Sequence, residues 1–478
     1  MKSSWMITLA LAALSQTALA QDAKAVVSAA SAAMGVDGLN SIHYFGVAQN
    51  GNLGQNNNAN QPWPMATAND YVRAIDFTQP ASRATWSNFA LGVAGAPTLV
   101  PAQMVITPQN AAWVQQLEIW ITPWGFLKGA AANNATVRAQ NAGGKRTQVV
   151  TFNSPGKSPG GQPYRVVGTI NSQNLVEKVQ TWVENPVLGD TLVEVEYTHY
   201  RDAAGGLKYP AQMVQKRGGW PTFTAFILGA NANPANLQRL MAATGPAAAP
   251  PPAAAGPMSE KLADGIFRIN GSYNALAVEF ADHILLFEPG PQNEARAQAI
   301  IAEAKKVIPN KPIRYGVISH HHFDHTGGLT ATVAEGITLV TPEVNRDFLM
   351  TALSAPRTLA PDAMSKSGKK PVIEGFKGDK RVFQDATRTF EVHVIKGLPH
   401  ADGLVIGYLP KEKIMIYADM FNLPPANIPV PIPPAISTVV LLDNLDRLKL
   451  DIDRVLSIHT LNPNRLASVA DMRASLGR

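Results

Sequence analysis

The sequence predicts an α/β chain in two parts: a β-rich α+β region over residues 21–244, then a region of sheets covered by helices over residues 258–478. Three observations predict this division. The run Gly245 to Pro257 contains only glycine, proline and alanine, which cannot build a core and read as a semi-rigid extended linker over 245–257. Ahead of it, Val193, Val195 and Tyr197 alternate with Glu194 and Glu196, the period of a strand with one wet face. Behind it, short apolar runs alternate with longer amphipathic segments, the pattern of strands interleaved with helices.

Residues 1–20 read as a secretory signal: Lys2 supplies the positive start, Trp5 to Leu14 the apolar stretch, and Ala18-Leu19-Ala20 a small-residue cleavage site before Gln21. The chain is therefore expected in the periplasm or the medium. After the signal, Ala23 to Met34 is an alanine-rich helix, and the glycine- and asparagine-rich stretch Asn50 to Asn60 is a loop. Tyr164 to Ile170 and Leu175 to Glu184 are neighbouring strands, punctuated by Asn171-Ser172 and Asn185-Pro186. The tryptophans of this region, Trp63, Trp86, Trp113, Trp120, Trp124, Trp182 and Trp220, suit a core better than a groove. The hairpin-rich pattern weakly resembles periplasmic lipoprotein-carrier sheets, with no motif to carry the likeness, and no chemistry is legible in it.

In the second region, Gly265 to Phe287 holds two strands around Ser272-Tyr273-Asn274, and Asn293 to Val307 is an amphipathic helix. Ile313 to Ser319 is a buried strand, Ile337 to Val340 another, and Glu343 to Leu353 a helix. Phe390 to Ile395, Leu404 to Leu409 and Ile414 to Tyr417 are strands; Ser437 to Leu450 and Ala467 to Leu476 close the chain as helices.

Composition excludes several functions. The 478 residues suffice for two or three domains with their own cores. A formal charge of +6 is spread over scattered lysines and arginines, with no dense basic run, so nucleic acid is not expected as a partner. Past the leader no segment approaches the roughly eighteen apolar residues of a membrane span, so stable membrane insertion is not expected either. There is no cysteine, which suits an oxidising compartment without proving one. The oligomeric state is left open.

The chemistry concentrates in Ser319-His320-His321-His322-Phe323-Asp324-His325-Thr326-Gly327-Gly328, which holds four of the chain's ten histidines. Imidazoles with a carboxylate are what a borderline-soft divalent cation binds. A strand before the run and a turn opening a helix after it let a tight loop aim several ligands at one point. His320 and His322, two apart, can face one side, with Asp324 and His325 reaching a second point. A surface histidine cluster is the plain alternative.

The pattern His-x-His-x-Asp-His followed by x-Gly-Gly resembles the signature of the metallo-β-lactamase fold superfamily, over roughly Pro257 to Arg478. That resemblance implies a four-layer α/β/β/α sandwich with its ligands along one edge. It also implies a third histidine after a strand near a glycine, met by Lys396-Gly397-Leu398-Pro399-His400. A bridging acid ending a later strand is met by Asp419 after Ile414 to Tyr417, and a last histidine by His459 after Val455 to Ile458. Carried over, one cation would take His320, His322 and His400, and the other Asp324, His325 and His459, with Asp419 bridging. Alone, His459 or Asp419 is an ordinary residue; together and in order they are a ligand set. His321 is expected to point away, and His283, His393, His43 and His199 match no station.

The resemblance implies a hydrolase of an ester, lactone, thioester or amide, with a small-molecule substrate, two zinc ions as cofactors (iron or manganese being admissible) and Asp324 as the catalytic proton acceptor. Absent cysteine rules out the thiolate ligand of one group of β-lactamases, and an aspartate at 419 is the mark of glyoxalase II-like and lactonase-like hydrolases. β-Lactam cleavage remains secondary. His322 stands where flavodiiron proteins carry glutamate, which argues against dioxygen reduction. A mononuclear-iron persulfide dioxygenase and an apolar-ligand carrier with a vestigial centre are the alternatives. Two loops are candidates for substrate selection: apolar, proline-rich Asn422 to Pro434, and Thr351 to Pro371, whose Arg357, Lys366, Lys369 and Lys370 make either a cationic lid or a solvated face.

Overall fold

Alternation in the first region builds one large antiparallel sheet. In the computed structural model, which describes residues 23–477 apart from 92–96, 111, 143, 243–257, 424–433 and 462–463, its strands are β1 (Ser41–Gly51), β2 (Met65–Asp76), β3 (Ala81–Leu91), β4 (Pro97–Ile106), β5 (Thr136–Ala142), β6 (Lys145–Lys157), β7 (Pro163–Ile170), β8 (Val176–Asn185), β9 (Gly189–Asp202), β10 (Lys208–Arg217) and β11 (Trp220–Ala232). They order as β4-β3-β2-β1-β11-β10-β9-β8-β7-β6-β5. The expected leader, the linker and most of the proline-rich loop lie outside the described residues.

Helix α1 spans residues 23–34, as its alanine content predicts, and α4 (Leu237–Met241) ends the region. Two more helices, α2 (Trp113–Trp120) and α3 (Pro123–Ala132), carry the chain from edge strand β4 to the opposite edge, β5. They share one core with residues of nearly every strand, Trp113, Leu117, Trp124 and Phe126 packing with Ile42, Tyr44, Val150, Val179 and Ile227. A flat sheet could not bring both its edges to the same helices, so the sheet curls around them. Trp63, Trp113 and Trp124 are buried and Trp220 is exposed, so the tryptophans are mostly packing residues.

The second region has two sheets. One runs β12 (Ser259–Ala263), β13 (Ile266–Ile269), β14 (Ala275–Glu279), β15 (Ile284–Phe287), β16 (Ile313–Val317), β17 (Thr338–Pro342), β18 (Ile373–Phe376); the other runs β19 (Lys380–Gln384), β20 (Thr389–Val394), β21 (Val405–Leu409), β22 (Ile414–Tyr417), β23 (Arg454–Ser457). The stretch Gly265 to Phe287 thus makes three strands where the sequence suggests two, because a tight turn closed by the Phe280 N–H on the His283 carbonyl (2.8 Å) splits the second apolar run.

Period-two alternation assigns each strand two buried faces. Leu276, Val278, Leu285 and Phe287 meet Phe390, Val405 and Ile416 of the facing sheet. Their neighbours Ala275, Ala277, Ile284 and Leu286 pack under α5 (Glu294–Val307), through Ile300, Ile301 and Ala304. Ile406, Tyr408, Met415 and Tyr417 face away from the first sheet, under α10 (Ile436–Leu448) and α11 (Val469–Ala474). With α6 (Phe323–Thr326), α7 (Leu329–Glu335), α8 (Glu343–Ser354) and α9 (Ala363–Ser367) beside the first sheet, the result is the expected four-layer αββα sandwich. No helix of the described residues is long and apolar enough to cross a membrane.

Candidate metal centre

Every expected ligand follows the C-terminal end of a strand or sits on the turn beyond it. His320, His322, Asp324 and His325 come from the loop after β16 and the first turn of α6; His400 lies between β20 and β21, Asp419 after β22 and His459 after β23. Since β15, β16, β17 and β18 are parallel neighbours, as are β22 and β23, these ends share one edge of the sandwich. Asp419 has φ of +56°, a left-handed conformation that a non-glycine residue adopts at a cost, and such strain recurs at functional sites.

Two groups of side chains converge there. Ligand-capable atoms of His320, His322 and His400 lie within 4.8 Å of one another, and so do those of Asp324, His325, Asp419 and His459. Asp419 stands between them: its Oδ2 is 2.9 Å from His325 Nε2, 3.6 Å from His320 Nε2 and 3.9 Å from His400 Nε2, while Oδ1 is 2.8 Å from His459 Nε2. A residue that reaches both groups is placed to be shared.

The buried polar atoms left without partners test whether this set fits cations. They include His320 Nε2, His322 Nδ1, His400 Nε2 and Asp419 Oδ2, and a buried nitrogen or oxygen with nothing to bond is costly unless something else satisfies it. The donors that the first group would offer are therefore the atoms the protein leaves free. Burial and neighbouring imidazoles hold His320 and His400 below the ordinary histidine range, and push His322 down to about 3, so all three stay neutral with a lone pair to give. Burial opposes charge on His325 too, but Glu288, Asp324 and Asp419 around it raise its pKa well above the usual value. Burial would raise Asp324 and Asp419, yet the imidazoles beside them hold both carboxyls far below the carboxylate range. Three carboxylates crowded round one imidazole make a site that attracts positive charge.

Several supporting residues escape a reading by motif. Glu288 Oε1 lies 2.7 Å from His325 Nδ1, both side chains wholly buried, which turns Nε2 toward Asp419. Ser319 Oγ is 3.2 Å from His320 Nδ1 and plays the same part for that ring. The one available signal for Glu288 is an acid directly after the wholly buried run Ile284–Phe287. Tyr273, in the turn between β13 and β14, donates its hydroxyl to Asp324 Oδ2 at 2.7 Å and sets its ring, tilted, with its centroid 4.3 Å from that of His459. Arg296 fixes that turn through the Tyr273 carbonyl (2.7 Å). Gln55 and Asn56, from the loop after β1, also reach the site, so the N-terminal region is not silent as its sequence suggests.

His321 points away from the cluster, toward Phe348 and the Asn56 carbonyl. His283 pairs with Asp282, His393 with Glu391, and His43 and His199 lie on the N-terminal sheet, all apart from the cluster. One expectation fails. Arg357 is neither lid nor solvated face: it is buried, donates to the carbonyls of Pro186 (2.9 Å) and Val187 (2.8 Å), and pairs with Asp362 (3.1 Å). A guanidinium matches several carbonyls at once, whereas Lys366, Lys369 and Lys370 stay exposed.

With that geometry in view, residues 268–459 match the family model of the Metallo-beta-lactamase superfamily, and this part of the chain is a domain of that superfamily. Similar solved structures include a metallo-β-lactamase from Pontibacter korlensis (16% identity, TM-score 0.34, 46% of this chain and 96% of that one) and another from Hirschia baltica (17%, 0.33, 46% and 95%). A flavodiiron protein from Giardia intestinalis is similar at 14% identity and TM-score 0.34, over 47% of this chain and 59% of that one. No curated protein matches the chain.

Proposed function

We propose that the protein is an exported, metal-dependent hydrolase that holds two divalent cations, zinc before iron or manganese, and opens an ester, lactone, thioester or amide bond in a small molecule. The observation that carries this reading is the pair of ligand groups joined through Asp419, with partnerless donor atoms facing one another and no thiol in the chain. Two cations held by His320, His322 and His400 and by Asp324, His325, Asp419 and His459 would supply hydroxide at neutral pH and Lewis acidity for a carbonyl. The chain's own contribution is positional. Asp324, catalytic in this reading, takes the proton of the attacking water on a lone pair that its bonds to Tyr273 and Gln55 leave open, and returns it to the leaving group. Tyr273 holds that carboxylate in place through its hydroxyl and walls the site with its ring.

The test is metal content and turnover by protein lacking residues 1–20, against ester, lactone, thioester and β-lactam substrates with and without chelator. The reading expects about two zinc ions per chain and chelator-sensitive turnover of one class. About one iron per chain, with oxygen consumed in the presence of a persulfide, would replace it with an oxidoreductase.

A further inference from the structure

The loop after β1 is rich in uncharged amides: Asn50-Gly51-Asn52-Leu53-Gly54-Gln55-Asn56-Asn57-Asn58. It belongs to the N-terminal sheet, yet its successive residues bond to the segments that carry the metal-site residues. The Gly54 carbonyl accepts the N–H of Phe323 (3.2 Å), next to Asp324. Gln55 Nε2 donates to Asp324 Oδ1 at 2.7 Å, on the oxygen that Tyr273 leaves free. The Asn56 carbonyl lies 3.0 Å from His322 Nε2 and 2.8 Å from His321 Nε2. Asn57 Nδ2 donates to the carbonyl of Pro399 (2.9 Å), beside His400, and its own carbonyl accepts the N–H of Asp402 (2.6 Å).

The contact at Asn56 has a chemical consequence. A carbonyl has no proton to give, so the His322 nitrogen facing it must carry the N–H, and Nδ1 is left as the lone pair. Nδ1 is the atom that lies buried and partnerless in the first ligand group. The loop is itself held in shape, since buried Asn56 donates Nδ2 to the carbonyls of Asn58 (2.7 Å) and Gln61 (2.9 Å). Trp63, packed edge-on against Phe323 with 5.7 Å between ring centroids, pins its far end and donates to the Arg217 carbonyl of β10.

We infer that the Gly54–Asn58 strap completes the metal centre from the other domain: Gln55 is the positioning residue for Asp324, and the Asn56 carbonyl fixes the tautomer and aim of His322. The N-terminal domain is thereby a working part of the site. This inference rests on the two-cation reading above. Outer contacts of this kind alter metal affinity by about 10–100-fold when removed.

The experiment is a zinc titration of metal-free full-length protein by calorimetry with a competing chelator, paired with a melting curve. Gln55→Met keeps the side chain's length and loses the hydrogen bond; it should weaken one of two binding steps about 10–100-fold and leave the other within about twofold. Asn56→Ala, which removes the side chain that shapes the loop and leaves the carbonyl facing His322, should weaken the remaining step. Melting temperatures that fall while both steps keep their wild-type affinities in both variants would reduce the strap to packing and overturn the inference alone. Wild-type protein that takes up fewer than two cations would overturn the two-cation reading and this inference with it.

Discussion

At the residue scale, the seven expected ligands divide by what they bond to. His320, His322 and His400 lie together with donor atoms left free; removing His322 takes a ligand and one donor to the Asn56 carbonyl, which keeps His321 Nε2 as its other partner. His322→Ala should therefore abolish turnover and lower metal content while the circular dichroism spectrum and melting curve stay near wild type. Asp324→Asn keeps the shape but cannot take a proton; metal-loaded variant should lose about 10²–10⁴-fold in kcat. Near-wild-type turnover by that loaded variant would sink the role given to Asp324. Glu288 is of another kind, since it lies outside both ligand groups and acts through His325 Nδ1. Glu288→Gln should weaken one metal-binding step by about 10–100-fold, seen by chelator competition. The ligands were legible in the sequence because six of the seven, all but His400, closely follow a recognisable strand or share one loop with its end. Glu288, Tyr273 and Gln55 were not, since nothing local marks a residue whose partner is 37, 51 or 269 positions away.

At the scale of elements, the strands were legible because both of their faces are buried and the apolar runs are short; Ile414–Tyr417 has the limits its sequence suggests. The boundary between β14 and β15 was not, because the turn Phe280 to His283 is short and interrupts the apolar run only at Asp282 and His283. Helix ends are set by caps, and α11 has a complete one: Ser468 accepts the Asp471 N–H while Asp471 accepts the Ser468 N–H. Ser468→Ala should cost about 1 kcal/mol in a denaturant titration. Arg465 on its carboxylate, helped by Ser468, lowers Asp471 to about 2. Its folded value lies below its unfolded one, so the stability it adds is whole above about pH 4 and is lost as pH falls through about 2. Protection factors of the α11 amides, which divide out the intrinsic pH dependence of exchange, should fall over that window in wild type and less so in Asp471→Asn. The loop before β2 shows the opposite device, a glycine where nothing else fits. Gly54 has φ of +80°, and an added Cβ would meet the Phe323 ring at 2.1 Å. Gly54→Ala should cost about 1–3 kcal/mol, read from the melting curve, by straining the loop or displacing the ring at the start of α6.

At the scale of the whole molecule, the amide-rich loop is one place where the N-terminal sheet grips the sandwich, and another, at Asp190, explains why Arg357 is buried. Asp190 of β9 accepts the N–H groups of Thr358 and Leu359 (2.8 and 3.0 Å) and the Thr358 hydroxyl (2.6 Å), while its own N–H goes to the Pro356 carbonyl (2.7 Å). Arg357 answers from the other side, donating into the turn Asn185–Val187 that joins β8 to β9. Neither partner of this exchange has room to find a substitute, because Gly189 sits against the Pro356 carbonyl and a Cβ there would meet it at 2.4 Å. Arg357→Ala leaves buried carbonyls and Asp362 without their donor, a loss of about 3 kcal/mol. Arg357→Lys should recover little of it, since a single ammonium cannot replace the planar fork. If the two grips lock the domains, wild-type protein should unfold in urea in one transition by tryptophan fluorescence, which reports the N-terminal sheet, and by loss of turnover, which reports the centre. Arg357→Ala should split them, with turnover lost at lower urea than the sheet's fluorescence, because the strap then loses the second anchor that keeps Gln55 over Asp324. Coincident curves in the variant, shifted together, would mean that the strap alone holds the two domains as one unit.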